Sequence, residues 1–273
     1  MPTRHVVAGA EPVKYLKLPM DVVWLKKDVR IHDHGPLNMA ASCGRPFCIV
    51  YIYEPDQLSH HSVHGSHVYF ANEGLEDLDM RLQRMRGMDK PCITYCKGEA
   101  TAVFKRLNSF RRIMRLISHE ETGHNSSYAR DERVRRWCRD DKVELVELVQ
   151  TGVIRALKNR DNFSKGFNAF MTRRCYPIPA PAVLMANLIP SSWFLLNQNS
   201  ASDHKEELLA GDPGNKADAT IACGVLYPGP DLPSLAAEHS VDRVARQRGG
   251  ETEALRIFGE FLRKRGEGYS PSI

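Results

Sequence analysis

Short apolar runs alternate with stretches of helical spacing over the first ~150 residues, as expected for a parallel sheet covered by helices on both faces. Met20 to Leu25 (MDVVWL) and Phe47 to Tyr53 (FCIVYIY) are rich in β-branched and aromatic residues and read as buried strands. Pro91 to Tyr95 (PCITY), Ile113 to Ile117 (IMRLI) and Val143 to Val149 (VELVELV) complete a set of five. Between them, Val68, Ala71, Leu75, Leu78 and Leu82 recur at helical spacing and predict a long helix over about Val63 to Met85. Shorter helices are predicted after His34, where Asp33 or His34 can cap and Pro36 suits the first turn, and over Glu99 to Leu107. Tyr128 to Arg139 is a charged helix in which Asp131 with Arg135, and Glu132 with Arg136, have i,i+4 spacing and predict a solvated face.

Beyond Gln150 the periodicity weakens. Pro177, Pro179, Pro181, Pro190, Pro213, Pro228, Pro230 and Pro233 interrupt the chain, which reads as a long connector with one or two short helices. Order returns at Thr252 to Arg263. There Ala254, Leu255, Phe258, Phe261 and Leu262 make one apolar stripe with little of its own chain to pack against, which favours self-association. The expected organisation is a flexible lead over 1–19, an α/β domain over 20–150, a connector over 151–250, and the start of a helical unit over 251–273. The fold class is α/β: a Rossmann-like, doubly wound, five-stranded parallel sheet, a Pro-rich connector, and one helix of an incomplete all-helical domain.

Composition narrows the setting. A hydrophobic fraction of 42% supports an ordinary core, and a net charge of +5 permits a nucleic-acid partner without demanding one. The seven cysteines include no CxxC pair and several lie in apolar runs, which reads as reduced thiols in a cytoplasmic or nuclear protein. The mixed N-terminal segment leaves an organelle leader open. No run approaches the ~20 apolar residues of a membrane helix, so no membrane association is expected.

Neither the dinucleotide fingerprint nor a P-loop succeeds the first strand, which argues against a dehydrogenase or a nucleotide triphosphatase. The strand runs instead into Lys26-Lys27-Asp28-Val29-Arg30, on the rim where doubly wound sheets bind ligands. From spacing alone, Asp28 either contacts a cofactor or pairs with Arg30. Ser118-His119-Glu120-Glu121-Thr122-Gly123 comes after the fourth strand on the same rim, and its adjacent carboxylates can accept ligand N–H groups or serve capping. If the segment is helical, His60, His64 and His67 share a face with zinc-ligand spacing. With no carboxylate or cysteine in the cluster, a surface or packing role is the stronger reading, and no metal is expected. Cys92 and Cys96, and Trp24, Trp137 and Trp193, are assigned to packing.

Four ordered segments resemble the photolyase/cryptochrome family. VVWLKKDVRIHDHGPL resembles its W-[FH]-R-x-D-L-R-x-x-D-x-x-A-L opening. ISHEETGHNSSYARDERVRRWC resembles the S-H-E-E-T-G-N…Y-A-R-D stretch of a bacterial and plant-type branch. QTGVIRALKNRDNF and RGGETEALRIFGEFLRKRGEGY resemble two further segments, the last leading into the flavin domain.

The resemblance implies an antenna domain for a folate, deazaflavin or FMN, and a separate helical domain for FAD. It implies light-driven repair of pyrimidine dimers in UV-damaged DNA by a deoxyribodipyrimidine photolyase, a lyase. Its cryptochrome branch implies blue-light signalling to a protein partner, and a non-catalytic antenna or interaction module is a third option. Lys27, Asp28, Glu120 and Glu121 fall where the family's antenna pocket draws its contacts, and Tyr269 matches a first FAD contact. The sequence ends four residues after Tyr269, at Ile273, so most of the FAD site is expected to be missing and catalysis by this chain alone is not expected. Phe163 and Phe167 stand where the family usually has tryptophan.

Overall fold

The computed structural model describes residues 18–197, 225–227 and 247–269. The lead before residue 18, Cys223, Pro213, Pro228, Pro230, Pro233 and Ser270 to Ile273 lie outside the described residues.

The buried run Met20–Leu25 forms β1, the centre of the sheet. It pairs in parallel with β2 (Phe47–Tyr53) on one side and β4 (Ile113–His119) on the other. β3 (Ile93–Lys97) extends the sheet beyond β2, and β5 (Glu144–Leu148) extends it beyond β4, both in parallel. The expected five parallel strands are therefore present in the doubly wound order 5-4-1-2-3. One strand was not anticipated: β6 (Val225–Tyr227), from the connector, pairs antiparallel with the outer edge of β3. It is three residues long, too short to leave a periodic signal, and it covers an otherwise open edge.

Helices fill the crossovers. α1 (Gly35–Ser42) starts at His34, whose ring Nδ1 accepts from Leu37 N at 3.0 Å. A one-turn α2 (Pro55–Leu58) precedes the long α3 (Gly65–Arg86), which His64 and His67 open with a capping box. α4 (Ala100–Phe110) and α5 (Asn125–Asp140) complete the set. Alternation along β1 sends Val22 and Trp24 to one face and Val23 and Leu25 to the other. On the first face Trp24 meets Phe104 edge-on at 5.1 Å, and Phe104 stacks on Trp137 at 5.9 Å. On the second face Leu75, Leu78 and Leu82 of α3 pack with Leu37 and Ala40 of α1. Cys92 and Cys96 are buried, as their apolar setting predicts.

The connector is more integrated than its prolines suggest. It carries α6 (Phe163–Met171), α7 (Pro181–Asn187) and α8 (Ser191–Asn197). Leu184 and Leu188 enter the α1/α3 core, while Ile189, Trp193 and Phe194 enter the α4/α5 core. The segment passes beneath the amino ends of the strands, where Ile189 N donates to Phe47 O at 2.8 Å and Ser191 N to Pro91 O at 3.0 Å. Upstream, Arg173 clamps Asp33 with two bonds of 2.9 Å. Asp33 has a positive φ of 48°, a conformation that its three hydrogen bonds to Arg173 and Tyr176 hold in place.

α9 (Glu251–Lys264) and a final turn, α10 (Gly266–Tyr269), come last. The start of α9 is tied down. The Glu251 carboxylate accepts from Ile31 N at 3.0 Å and His32 N at 3.1 Å and pairs with Arg81. Thr252 bonds to Asp77 through both its N–H and its hydroxyl. Gly250 supplies the approach at φ 105°, which a side chain would resist. The predicted apolar stripe forms and stands open, with Leu255, Phe258 and Leu262 each at least half exposed. No helix among the described residues is long and apolar enough to cross a membrane.

Phe194 has no exposed surface and comes from the connector. Phe194→Ala is expected to lower unfolding stability by about 3–5 kcal/mol in urea titrations. A loss under ~1 kcal/mol would show that the connector merely rests on the domain.

Candidate functional site

The strand order reverses between β1 and β4, so the crevice beyond their carboxyl ends is where a doubly wound sheet binds ligands. Asp28 leaves β1 there with its side chain fully buried. Its Oδ1 accepts from Lys26 N at 2.7 Å. Its Oδ2 lies 2.5 Å from His119 Nδ1, at the end of β4, and 3.0 Å from His34 Nε2, at the start of α1. Burial is the largest influence on Asp28 and pushes its carboxyl upward, but the hydrogen bond from His119 and the close contact with His34 prevail and hold it well below the usual range. Burial also holds the His119 imidazole below its ordinary value, against the pull of Asp28.

These three side chains place ligand-type atoms within 4.8 Å of one another, the spacing of a metal site. The cap decides otherwise. Because His34 Nδ1 accepts from Leu37 N, its proton is assigned to Nε2, which lies 3.0 Å from Asp28 Oδ2 as a polar contact outside good hydrogen-bond geometry. The trio is a polar tie between two strands and a helix, with His119 hydrogen-bonded to Asp28 and His34 in close contact with it. Asp28 does not pair with Arg30, whose guanidinium instead bonds to the carbonyls of His32 and Asp33.

A second buried cluster lies beside it. Arg130 contacts Glu54 at 2.8 Å, Asp131 at 2.9 Å and Glu121 at 3.0 Å. Lys26 donates to Asp131 at 2.7 Å and to His119 O at 3.1 Å. The Lys26 ammonium and the Arg130 guanidinium both lie over the Trp24 ring, at 4.3 and 4.8 Å. The expected Asp131–Arg135 and Glu132–Arg136 pairs are replaced. Asp131 turns inward to Lys26 and Arg130, while Arg135 takes Glu132 and Glu147. Spacing along α5 could not reveal this, because Lys26 and Glu54 are distant in sequence.

Burial pushes the Glu54 carboxyl up to about 7, against the opposing charge of Arg130. Burial also raises Glu121, but Lys27 and Arg130 prevail and hold it below its usual range. Glu121 is committed on both oxygens: Oε1 accepts from Thr122 N, Gly123 N and Lys27, and Oε2 from Arg130. A Cβ at Gly123 would meet the movable Lys27 Nζ at 2.5 Å and the buried Glu121 Oε1 at 2.7 Å, so a side chain there would disturb the bonds of Glu121. Lys27 itself is largely exposed.

Glu120 points elsewhere. Its backbone N–H donates to Leu148 O at 2.8 Å, and it lines a cleft of about 290 Å³ with Val149, Gly152, Ile154, Arg155 and Phe170. Stacked Phe163 and Phe167 lie on α6 beside the cleft, with ring centroids 5.6 Å apart. Arg155 lies over the Tyr128 ring at 5.3 Å, with Glu147 3.6 Å away.

The five residues singled out from sequence thus separate. Asp28 and Glu121 are buried with their carboxylates bonded within the domain, Lys27 pairs with Glu121, and of the five Glu120 lines the cleft. Tyr269 is exposed on α10, with its ring edge-on to Phe261 at 5.3 Å between centroids. The histidine face also dissolves: His60 sits in the turn after α2, His64 caps α3, and only His67 is helical. Glu54 and Arg130 are not singled out by the sequence, and His34 only as a helix cap. Glu54, the residue directly after a buried strand, carried the one usable signal.

Fold and site define a doubly wound α/β domain with an open cleft beyond the carboxyl ends of β4 and β5, one strand away from its topological switch point. The DNA photolyase family model matches residues 21–176, more than half of the chain, and the chain belongs to that family. It is 27% identical to Cryptochrome-1 of Drosophila melanogaster over 132 residues, covering 47% of this chain and 24% of that protein. It is 38% identical to Cryptochrome DASH of Synechocystis sp. over 56 residues, covering 20% of this chain and 10% of that protein. The crystal structure of the Synechocystis cryptochrome shares the fold at a TM-score of 0.61 and 17% identity, over 92% of this chain and 47% of that one. The matched region is therefore less than half the length of each of these relatives.

Asp28→Ala removes the shared acceptor of Lys26 N and the His119 imidazole, and the close contact with His34. It is expected to cost about 3–5 kcal/mol in chemical denaturation; a cost near zero would show that the trio is not a tie. Glu54 makes a pH prediction. Its folded value, raised to about 7, lies above the unfolded value of ~4.3. Its stabilising contribution is complete below the unfolded value and is lost as pH rises towards about 7. A carbon-13 carboxyl titration should place the Glu54 midpoint near 7, whereas an ordinary carboxylate midpoint would contradict the burial argument.

Proposed function

We propose that this chain forms the light-harvesting side of a photolyase/cryptochrome-type flavoprotein, with a planar heteroaromatic chromophore seated in the cleft beside Glu120. The observation that carries this reading is the composition of the cleft. Val149, Val153, Ile154 and Phe170 supply apolar walls, and Glu120 and Arg155 supply one acceptor and one cation. A folate, a deazaflavin and FMN each combine a flat ring with an anionic tail. At about 290 Å³ the cleft suits the ring portion. Glu120 would accept from a ring N–H, Arg155 would meet the tail, and the exposed apolar walls would be covered by the ring. Such a chromophore, when bound, supplies absorption of near-ultraviolet or blue light and passes the excitation to a flavin.

FAD fits less well. Tyr269, its one assigned contact, is 57% exposed, and Leu255, Phe258 and Leu262 of the preceding helix are also exposed. Among the described residues, those around Tyr269 do not build a flavin cradle. FAD-dependent repair of pyrimidine dimers in DNA is the proposed activity of the whole protein, not of this chain by itself. A blue-light receptor acting on a signalling partner is the second reading, favoured by the cryptochrome names of the two curated relatives described above. Cytoplasmic or nuclear placement fits the free thiols Cys48, Cys92, Cys96 and Cys138 in the core.

The purified chain should bind at least one of methenyltetrahydrofolate, FMN and a deazaflavin saturably, with a shifted absorbance band. Glu120→Ala should weaken that binding about tenfold, the loss expected for a buried bond to a charged group. No saturable binding of any of the three, or equal binding by the variant, would contradict the proposal.

A further inference from the structure

The buried cluster beneath the rim loop has an uneven charge count. Glu54, Glu121 and Asp131 are its carboxylates, and Lys26 and Arg130 its cations, each with at most 7% of its side chain exposed. Arg130 is the hub: Nη1 meets Glu54 at 2.8 Å, Nη2 meets Glu121 at 3.0 Å and Nε meets Asp131 at 2.9 Å. With all three carboxylates ionised, the cluster has one negative charge in excess. Lys27, 64% exposed, supplies a positive charge from the surface, 3.3 Å from Glu121 Oε1. The same oxygen accepts from Thr122 N at 3.0 Å and Gly123 N at 2.6 Å, so the rim loop is built around it.

A proton can restore the balance from inside. Excess charge in a low-dielectric interior is removed by neutralising the least compensated group. Asp131 meets Lys26 and Arg130, and Glu121 meets Lys27 and Arg130. Among the described residues Glu54 has only Arg130 as an ion-pair partner. The groups facing Glu54 are Arg130 and Asp131 of α5, Glu99 at the cap of α4 and Tyr51 of β2. Glu99 and Asp131 are like charges that favour the proton. Burial, with Glu54 beside it, pushes the Tyr51 phenol up to about 12, so Tyr51 stays neutral. The Glu54 carboxyl, pushed up to about 7 chiefly by burial, changes charge in the neutral range.

We propose that Glu54 is a proton-operated switch for the rim loop, acting through Arg130 on Glu121 and Lys27. When Glu54 takes a proton from solvent, Arg130 faces two carboxylates instead of three. Lys26 and Arg130 then balance Glu121 and Asp131, the attraction for Lys27 weakens, and its ammonium is released to water. When Glu54 gives up the proton, Lys27 is drawn back onto Glu121. The switch belongs to the unliganded chain and does not rest on the chromophore reading.

The test follows three NMR signals of the full chain across the neutral range: the Thr122 and Gly123 amides, and the indole N–H of Trp24, over whose ring Lys26 and Arg130 lie. All three should move with one midpoint near 7. Glu54→Gln, which keeps the shape and removes the titration, should abolish that transition. Lys27→Ala should raise the unfolding constant about threefold at about pH 8, the size of an exposed ion pair, and by less at about pH 6. A transition that persists in Glu54→Gln belongs to the His119 or His124 imidazole and overturns the proposal, as does an equal effect of Lys27→Ala at both pH values. If Glu54→Gln fails to fold, the parent chain decides. A midpoint shared by the Glu54 carboxyl and the Gly123 amide supports the switch, and separate midpoints refute it.

Discussion

Asp28 sits where β1 and β4 diverge, with no side-chain surface left to water, and gathers polar contacts from the β1 loop, the end of β4 and the cap of α1. A carboxylate in that position is stabilised only by full satisfaction of its oxygens. The requirement fixes its neighbours in turn. His34 must hold one tautomer, so it caps α1 with the other nitrogen. His119 must end β4 facing β1. The two rim loops, Lys26 to Arg30 and Glu120 to Gly123, then leave the sheet from defined points.

The charged cluster extends the same constraint outward. Arg130 lies among three carboxylates and above Trp24, so α5 is locked against the sheet through a guanidinium as well as through Val134 and Trp137. Glu121 is consumed by this cluster, which leaves its neighbour Glu120 directed at the cleft. Two adjacent carboxylates of identical type thus take different duties because one chain position faces the sheet interior and the next faces the β5 side.

Much of the fold was legible in the pattern of apolar residues. β1, β2 and β4 are continuous runs, and α3 shows its stripe plainly. The ligand-binding rim came from strand-helix alternation, while the strand order did not. What was not legible depends on long-range pairing. Asp28 and His119 are far apart in sequence, and nothing local distinguishes the Asp131 that meets Lys26 from the Glu132 that meets Arg135. Prolines concealed the segment from Leu184 to Phe194, which fills both cores although its helices are short. Of the site, the rim positions were found from motif placement, but their division into buried tie and cleft lining needed the geometry.

The most direct measurement is a crystal structure of the chain grown with the chromophore it binds most tightly. The account predicts ordered density between Glu120 and Phe170, with a ring N–H within hydrogen-bond distance of the Glu120 carboxylate and Asp28 still held by His34 and His119. Density seated against Asp28 after rearrangement of that trio, or against Tyr269 and the open face of α9, would contradict it.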